Sequence, residues 1–154
     1  MDHTHSDLTK AISSRDNQIE ARQRNLLRFV HAQDSGGLYD GTGTYAEALQ
    51  EVKNGHKRGH WIWYVFPQMK GLGKSGMSQT YAIQDRQQAH EYMNHPTLRV
   101  NYRCCCQAIL DSGKSVYEIF GDDAVKVHSS IMLMNSVWDD PIIKEVIRRN
   151  GWNQ

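Results

Sequence analysis

The stretch PTLRVNYRCCCQAILDSG, residues 96–113, decides the fold class of this chain. Its apolar residues recur at intervals of four, three and four positions: Leu98, Tyr102, Cys105 and Ile109. This spacing places them in one stripe along an α-helix. Pro96 suits the first position of a helix, and Gly113 suits the position just beyond its end. We therefore predict a helix here, with its apolar stripe facing the core.

Helix start signals lie on both sides of this stretch. Four further stretches with helical apolar spacing each follow a residue whose side chain can accept a hydrogen bond from the first helical turn. These capping residues are Thr44, Asp85, Ser115 and Asp140. Another helix runs from Ile19 to the glycines at 36–37, and Asp122 or Asp123 caps a helix near the C-terminus. The short run 61–66 fits a strand or a buried helix equally well. About seven helices and no convincing strand pair predict an all-α fold.

Length and composition favour one domain. The 154 residues are 39% apolar and 23% charged, a balance typical of folded globular proteins and not of disordered ones. We expect a flexible N-terminal tail at residues 1–18, because it lacks periodicity, and a single compact helical domain at residues 19–154. The longest apolar run, 61–66, is far too short for a membrane span. The polar N-terminus resembles neither a secretory signal nor a transit peptide.

The three cysteines are consecutive, at 104–106. Adjacent cysteines rarely pair with each other, and a helix would point them in three directions, so neither a disulfide nor a shared metal ion is expected. We interpret them as small apolar residues of which at least two are buried. Free thiols favour a reducing compartment, so the sequence predicts a cytoplasmic protein. We also expect no metal or cofactor.

The charges are unevenly distributed. Residues 52–84, the acid-free segment, contain no Asp or Glu but five basic residues, which leaves 13 basic against 17 acidic residues elsewhere. A segment of charge +5 in a chain whose remainder is −4 attracts anions within about 8 Å at physiological salt. A solvated basic face explains the same composition, and both interpretations stay open at this point.

Known catalytic motifs fail in this segment. A phosphate-binding P-loop ending in Lys74 and Ser75 would need Gly at position 68, where the chain has Gln68. A nucleophile elbow would need Gly at position 77, which is Met77. A zinc-binding H-E-x-x-H motif would need Glu between His56 and His60, where Lys57 stands. The glycines at 71–76 could still bring backbone N–H groups close to an anion.

Aromatic residues are concentrated beside these charges, at 61–66. Large aromatic side chains are normally buried, and we interpret Trp63 and Phe66 as core residues. Trp61 is the better candidate for a pocket wall that stacks on a ligand ring, because it adjoins the polar His60.

The string GHK at 55–57, HWIWYVFPQ at 60–68 and GLGKS at 71–75 resembles the signature of family 1810 of domains of unknown function. Its members are small, mostly bacterial proteins, sometimes mislabelled calpastatin. Further matches run from residue 26 to residue 138: RFV at 28–30, YAI at 81–83, HP at 95–96, IFG at 119–121, and Asp123 with Lys126, Ser129 and Ser130. The resemblance implies a helical fold and no established activity. The chain departs from the pattern at Arg99, Met132 and Met134, and in a longer loop at 35–43.

The polar residues within the matched motifs predict a pocket for an anionic small molecule, a nucleotide or a nucleotide-sugar. We expect the loop at 60–75 and the helix at 126–130 to line this pocket. His60 is the acid/base candidate if the protein is an enzyme, which the sequence leaves open. The ligand-binding candidates are Trp61, Gln68, Lys74, Ser75, Lys126, Ser129 and Ser130. The alternative is a non-enzymatic protein-interaction module that uses the Trp-rich basic segment. Nucleic acid is a poor partner for a chain of net charge +1, and no feature predicts an oligomeric state.

Overall fold

The computed structural model describes residues 3–39 and 41–153, with the side chains of residues 13–39 and 41–153. About 70% of the chain is helical. Nine α-helices lie in the described ranges: α1 (His3–Ser35), α2 (Tyr45–Lys53), α3 (Ile62–Val65), α4 (Gly76–Thr80), α5 (Arg86–Asn94), α6 (Pro96–Ser112), α7 (Val116–Phe120), α8 (Ala124–Val137) and α9 (Pro141–Arg149). The same ranges contain two isolated β-bridges and no strand. The predicted all-α fold is confirmed.

Helix α6 forms the centre of the core, as its apolar stripe predicts. Leu98, Tyr102, Cys105 and Ile109 are all buried, and the helix packs against α2, α5 and α9. The His95 side chain accepts a hydrogen bond from the N–H of Leu98 at its start. Gly113 ends the helix in the left-handed region, at φ 69°, a conformation that glycine adopts without a steric penalty.

The predicted capping residues begin their helices. Thr44, Asp85, Ser115 and Asp140 each accept a hydrogen bond from a backbone N–H of the first turn. Asp123 is different. It is the last residue of a 3-10 turn, Gly121–Asp123, and directly precedes α8, but its carboxylate makes no capping bond. That carboxylate is used elsewhere, in the candidate site described below.

Two short helices add to the seven that the sequence predicts. The ambiguous run at 61–66 contains α3, so the helical alternative is correct. Helix α4 begins beside the glycine-rich loop, because the Ser75 hydroxyl accepts a hydrogen bond from the N–H of Ser78. Its five residues carry no apolar periodicity long enough to be recognised in the sequence.

Helix α1 begins well before the boundary predicted at residue 19. No proline or glycine occurs before Gly36, so nothing in the sequence interrupts the helix. All side chains at 13–20 are exposed, and packing against the core begins at Leu26 and Phe29. The flexibility predicted for residues 1–18 stays a prediction, and residues 1 and 2 lie outside the described ranges. None of the helices in those ranges is long and apolar enough to cross a membrane.

The cysteines occupy different environments on α6. Cys105 and Cys106 are buried and Cys104 is exposed, which confirms that at least two are buried. Burial raises the pKa of the Cys105 thiol to about 12, and it raises the pKa of Cys106 well above its ordinary value. Neither buried thiol is therefore a nucleophile at neutral pH.

We expect a thiol reagent such as DTNB to label one cysteine rapidly in the folded protein. The other two should react only after unfolding, because they are both buried and protonated. The change in absorbance of the released thiolate measures this, and Cys104→Ser should remove the rapid phase while leaving the slow one. Rapid labelling of two or three thiols in the folded wild type would contradict the packing of α6.

Candidate functional site

The acid-free segment borders a cleft of about 390 Å³. The cleft lies between the loop before α3, the start of α4 and the start of α8, and a loop after α1 contributes to its wall. Its lining residues are Tyr39, Thr42, Lys57, His60, Trp61, Ile62, Trp63, Ser75, Gly76, Met77, Asp123 and Lys126. We call it the α3–α8 cleft. Four segments of the chain therefore meet at one concave surface.

A carboxylate held between two ammonium groups lies in this cleft. Oδ2 of Asp123 is 2.7 Å from Nζ of Lys57, and Oδ1 is 2.6 Å from Nζ of Lys126. We call these three residues the carboxylate–lysine cluster. Its side chains are 8% (Lys57), 22% (Asp123) and 33% (Lys126) exposed. Two positive charges and one negative charge leave an excess of +1 in a partly desolvated place, where electrostatic attraction is stronger than in open solvent.

The pKa of Asp123 reflects both its burial and its partners. Burial raises that pKa, but the hydrogen bonds and charges of Lys126 and Lys57 lower it by more, so it lies below its ordinary value. The carboxylate is therefore ionised at neutral pH. This also explains why Asp123 does not cap α8, since both of its oxygens face lysines.

Each lysine of the cluster also lies over an aromatic ring. Nζ of Lys57 is 5.1 Å from the centre of the Trp61 ring, and Nζ of Lys126 is 5.0 Å from that of Trp63. Both distances are in the range of cation–π attraction. Trp61 is 0% exposed, whereas Trp63 is only partly buried. Trp63 is therefore the more accessible ring of the cleft wall, whereas the sequence indicates Trp61 as the ring for a pocket wall.

Glu51 of α2 fixes the loop that carries Lys57. Its Oε1 accepts hydrogen bonds from the N–H of Arg58 at 2.6 Å, the N–H of Gly59 at 2.8 Å and Nε1 of Trp61 at 3.0 Å. Burial raises the pKa of Glu51, but these hydrogen bonds and nearby Lys57 lower it by more, so it lies below its ordinary value. The backbone of Lys57 is also tied to Ile119, through an N–H···O bond of 2.8 Å. The loop is thus held before any ligand binds.

Two glycines of the loop at 71–76, of which Gly76 lines the cleft, allow close packing of side chains. A Cβ at Gly76 would lie 2.5 Å from the Tyr39 hydroxyl, and a Cβ at Gly73 would lie 2.7 Å from Cβ of Ser78. A side chain at either position would therefore require Tyr39 or Ser78 to move. The sequence suggested that these glycines free backbone donors for an anion, whereas the structure shows that they admit neighbouring side chains.

Four of the predicted site residues meet in the cleft: His60, Trp61, Ser75 and Lys126. His60 is exposed at its rim. Ser75 uses its hydroxyl as the cap of α4.

The other four predicted residues do not line the cleft: Gln68, Lys74, Ser129 and Ser130. The amide of Gln68 is buried and donates to the carbonyls of Phe66 and Lys126, at 2.9 and 2.6 Å. Ser130 is buried, with its Oγ 3.0 Å from the Tyr102 hydroxyl. Lys74 is exposed on the glycine-rich loop, and Ser129 is partly buried on α8. Gln68 therefore positions α8, and any direct contact of Lys74 with a ligand stays a prediction.

The sequence interpretation missed Lys57, Asp123, Trp63 and Tyr39 as site residues. Lys57 was visible as one of the five charges of the acid-free segment, and Asp123 stands three positions before Lys126. Nothing local shows that Lys57 and Asp123 meet, because the two residues are far apart in sequence and are brought together by tertiary contacts such as the bond from the N–H of Lys57 to the carbonyl of Ile119.

Volume alone does not distinguish this cleft. A groove between α1 and α5 has about 390 Å³, and one between α2 and α6 has about 480 Å³. The α3–α8 cleft differs in its chemistry, since it combines two lysines, an ionised carboxylate and a half-buried tryptophan. Within the described residues, no group of three or more His, Cys, Asp or Glu side chains is placed to hold a metal ion.

Comparisons with known proteins agree with the helical fold. Residues 23–151 match a family described as "Protein of unknown function (DUF1810)". The crystal structure of the conserved hypothetical protein Rv1873 from Mycobacterium tuberculosis is similar, with a TM-score of 0.72 and 33% sequence identity. The similarity covers 81% of this chain and 86% of that chain. No curated protein matches the sequence significantly.

Proposed function

Because the chain belongs to the DUF1810 family, which has no assigned activity, we propose its function from the geometry of the cleft: it binds an anionic small molecule, a nucleotide or a nucleotide-sugar. The observation that carries the proposal is the carboxylate–lysine cluster, which places an excess positive charge in a concave, partly desolvated site. Pockets of this volume commonly hold small ligands, with a few polar groups that fix their orientation.

Lys126 is the principal contact for the anion in this proposal. An ammonium group has three N–H donors, and Lys126 uses one on Asp123, so two can bind phosphate oxygens. Lys57 already donates to Asp123 and to the carbonyl of Gly59, and its side chain is 8% exposed. Lys57 therefore contributes to the positive charge of the site more than to direct contact with the anion.

The remaining lining residues suit the other parts of a nucleotide. The partly buried ring of Trp63 can stack on a base, an interaction of about 1–3 kcal/mol in proteins that bind bases. His60 at the rim is the group placed to transfer a proton if the ligand is processed. We place the protein in the cytoplasm, where its three free thiols would stay reduced.

Concavity favours this proposal over a protein-interaction module. A docking surface made from the Trp-rich segment would expose its apolar residues on a flat face. In the structure Trp61, Tyr64 and Phe66 are 0% exposed. The aromatic residues of the segment therefore belong largely to the core, and one of its lysines, Lys57, lines a depression.

Isothermal titration with ADP, UDP-glucose and inorganic pyrophosphate tests the proposal. We expect at least one nucleotide to bind the wild type below millimolar concentration. Lys126→Ala should weaken that binding about tenfold or more, the scale of one charge-assisted hydrogen bond lost. Because the attraction is electrostatic, affinity should also fall as salt is raised.

Lys70→Ala is the matched control, since Lys70 is exposed in the same acid-free segment and does not line the cleft. It should change affinity less than twofold or so, as distant surface charges are screened. Lys74→Ala tests the assignment made from the sequence, and a loss equal to that of Lys126→Ala would extend the site to the glycine-rich loop. The proposal fails if no phosphate-bearing compound binds at millimolar concentration, or if Lys126→Ala and Lys70→Ala behave alike.

A further inference from the structure

Asp123 is an unexpected residue for a site that binds only phosphate. Its carboxylate cancels one of the two lysine charges and would repel a phosphate placed against it. Yet the side chain is 22% exposed, and it lines the cleft. We therefore expect the ligand to carry a group that donates hydrogen bonds to this carboxylate.

The hydrogen bonds of Asp123 leave capacity for such a group. Each oxygen of an ionised carboxylate can accept about two hydrogen bonds. In the structure each oxygen accepts one, Oδ2 from Lys57 and Oδ1 from Lys126. One acceptor site on each oxygen therefore remains, and the two lysines hold the group in a fixed orientation.

Resting on the proposed function, we propose that Asp123 accepts hydrogen bonds from the vicinal hydroxyls of a ribose, so that the cleft selects ribonucleotides over deoxyribonucleotides and bare phosphates. A carboxylate presents two parallel acceptors, which suit two adjacent hydroxyl donors. The same chemistry recognises ribose in dinucleotide-binding folds, where an Asp or Glu accepts from the 2′-hydroxyl.

The surrounding charges exclude charged partners for this carboxylate. Two ammonium groups within 2.7 Å of its oxygens repel a metal ion or a cationic ligand group. Its own charge repels a phosphate. A hydroxyl carries no net charge and donates, so it fits both constraints. The phosphate then lies toward the two remaining donors of Lys126, whose Nζ is also 5.0 Å from the centre of the Trp63 ring.

A counter-ion role alone gives a different expectation. If Asp123 only neutralises Lys57 and Lys126, removing a hydroxyl from the ligand changes nothing. If it binds the sugar, the ligand that lacks a hydroxyl leaves a desolvated acceptor unpaired, and sites built for a hydroxyl discriminate strongly for this reason. For a ligand without a sugar the two roles give the same expectation, because only the charge of Asp123 affects it, so such a ligand serves as the control.

Titrating ADP, 2′-deoxy-ADP and inorganic pyrophosphate into wild type and Asp123→Asn separates these roles. In the wild type we expect ADP to bind about tenfold or more tighter than 2′-deoxy-ADP, on the scale of one hydrogen bond to a charged group. In Asp123→Asn that ratio should fall toward one. Pyrophosphate should bind Asp123→Asn more tightly than wild type, because one repelling charge is gone.

Each outcome bears on one of the two proposals. Equal binding of ADP and 2′-deoxy-ADP to the wild type overturns the ribose assignment, and it leaves the anion site standing if Lys126→Ala still weakens both. Failure of all three compounds to bind at millimolar concentration overturns the proposed function and this inference with it. Circular dichroism checks the fold of Asp123→Asn, and the comparison within the wild type decides the question even if that variant unfolds.

Discussion

Replacing Trp61 by alanine is expected to lower the free energy of unfolding by about 3–5 kcal/mol, the usual cost of truncating a buried large aromatic residue. Trp61 is 0% exposed, and its ring meets Phe120 edge to face at 6.1 Å between centroids. Its removal leaves a cavity and also leaves Glu51 without one of its three donors. Urea denaturation followed by circular dichroism measures the change, which is large for a domain of this size.

Trp63→Ala is the matched control, because it removes the same side chain two positions away. Trp63 is only partly buried, so the expected loss of stability is smaller than for Trp61→Ala. Its effect should appear instead in nucleotide binding, through the lost ring of the cleft wall. The opposite pattern, with Trp63 essential for folding and Trp61 essential for binding, would overturn the assignment of the two rings.

The contrast between these tryptophans shows where interpretation of the sequence alone is weak. Trp61 was favoured for the pocket because it adjoins His60, and Trp63 was favoured for the core because apolar bulk is normally buried. Trp61 stands at the start of α3, where its indole N–H turns toward Glu51, and Trp63 lies within the helix. Adjacent side chains at a helix start point in different directions, so a polar neighbour in sequence does not indicate an exposed ring.

Local signals predicted most of the fold. The capping residues at Thr44, Asp85, Ser115 and Asp140 act within one helical turn, and the stripe on α6 follows from helical periodicity alone. The fold class therefore needed no tertiary information. Helix α4 and the early start of α1 are the exceptions, since neither has an apolar pattern that marks its beginning.

Only part of the candidate site could be predicted from the sequence. Its basic character was visible as the acid-free segment, but the lysine that shares Asp123 with Lys126 is Lys57, which was not among the ligand-binding candidates. The partnership depends on Asp123, whose position opposite Lys57 is set by long-range packing. Polar residues such as Gln68 and Ser130 look functional in sequence because their structural partners, the Lys126 carbonyl and the Tyr102 hydroxyl, come from other elements.

Replacing Glu51 by alanine is the second large change that we expect, with a loss of about 2–3 kcal/mol in the free energy of unfolding. The carboxylate accepts three hydrogen bonds, two of them partly buried, and each donor left unpaired costs on the order of 1 kcal/mol. Glu47→Ala is the control, since Glu47 is exposed on the same helix and should change stability by about 0.5 kcal/mol or less. Equal losses in the two variants would contradict a clamping role for Glu51.

The pH dependence of this effect has a definite sign. Because the folded pKa of Glu51 is lowered, its stabilisation is complete above the unfolded value of about 4.3 and is lost as the pH falls through the folded value. Glu51→Gln keeps the shape of the side chain but cannot ionise. The difference in unfolding free energy between wild type and Glu51→Gln should therefore be largest near pH 6 and should shrink toward pH 3. A difference that stays constant over this range would mean that the charge of Glu51 does not hold the Lys57 loop, and that shape and packing position the site instead.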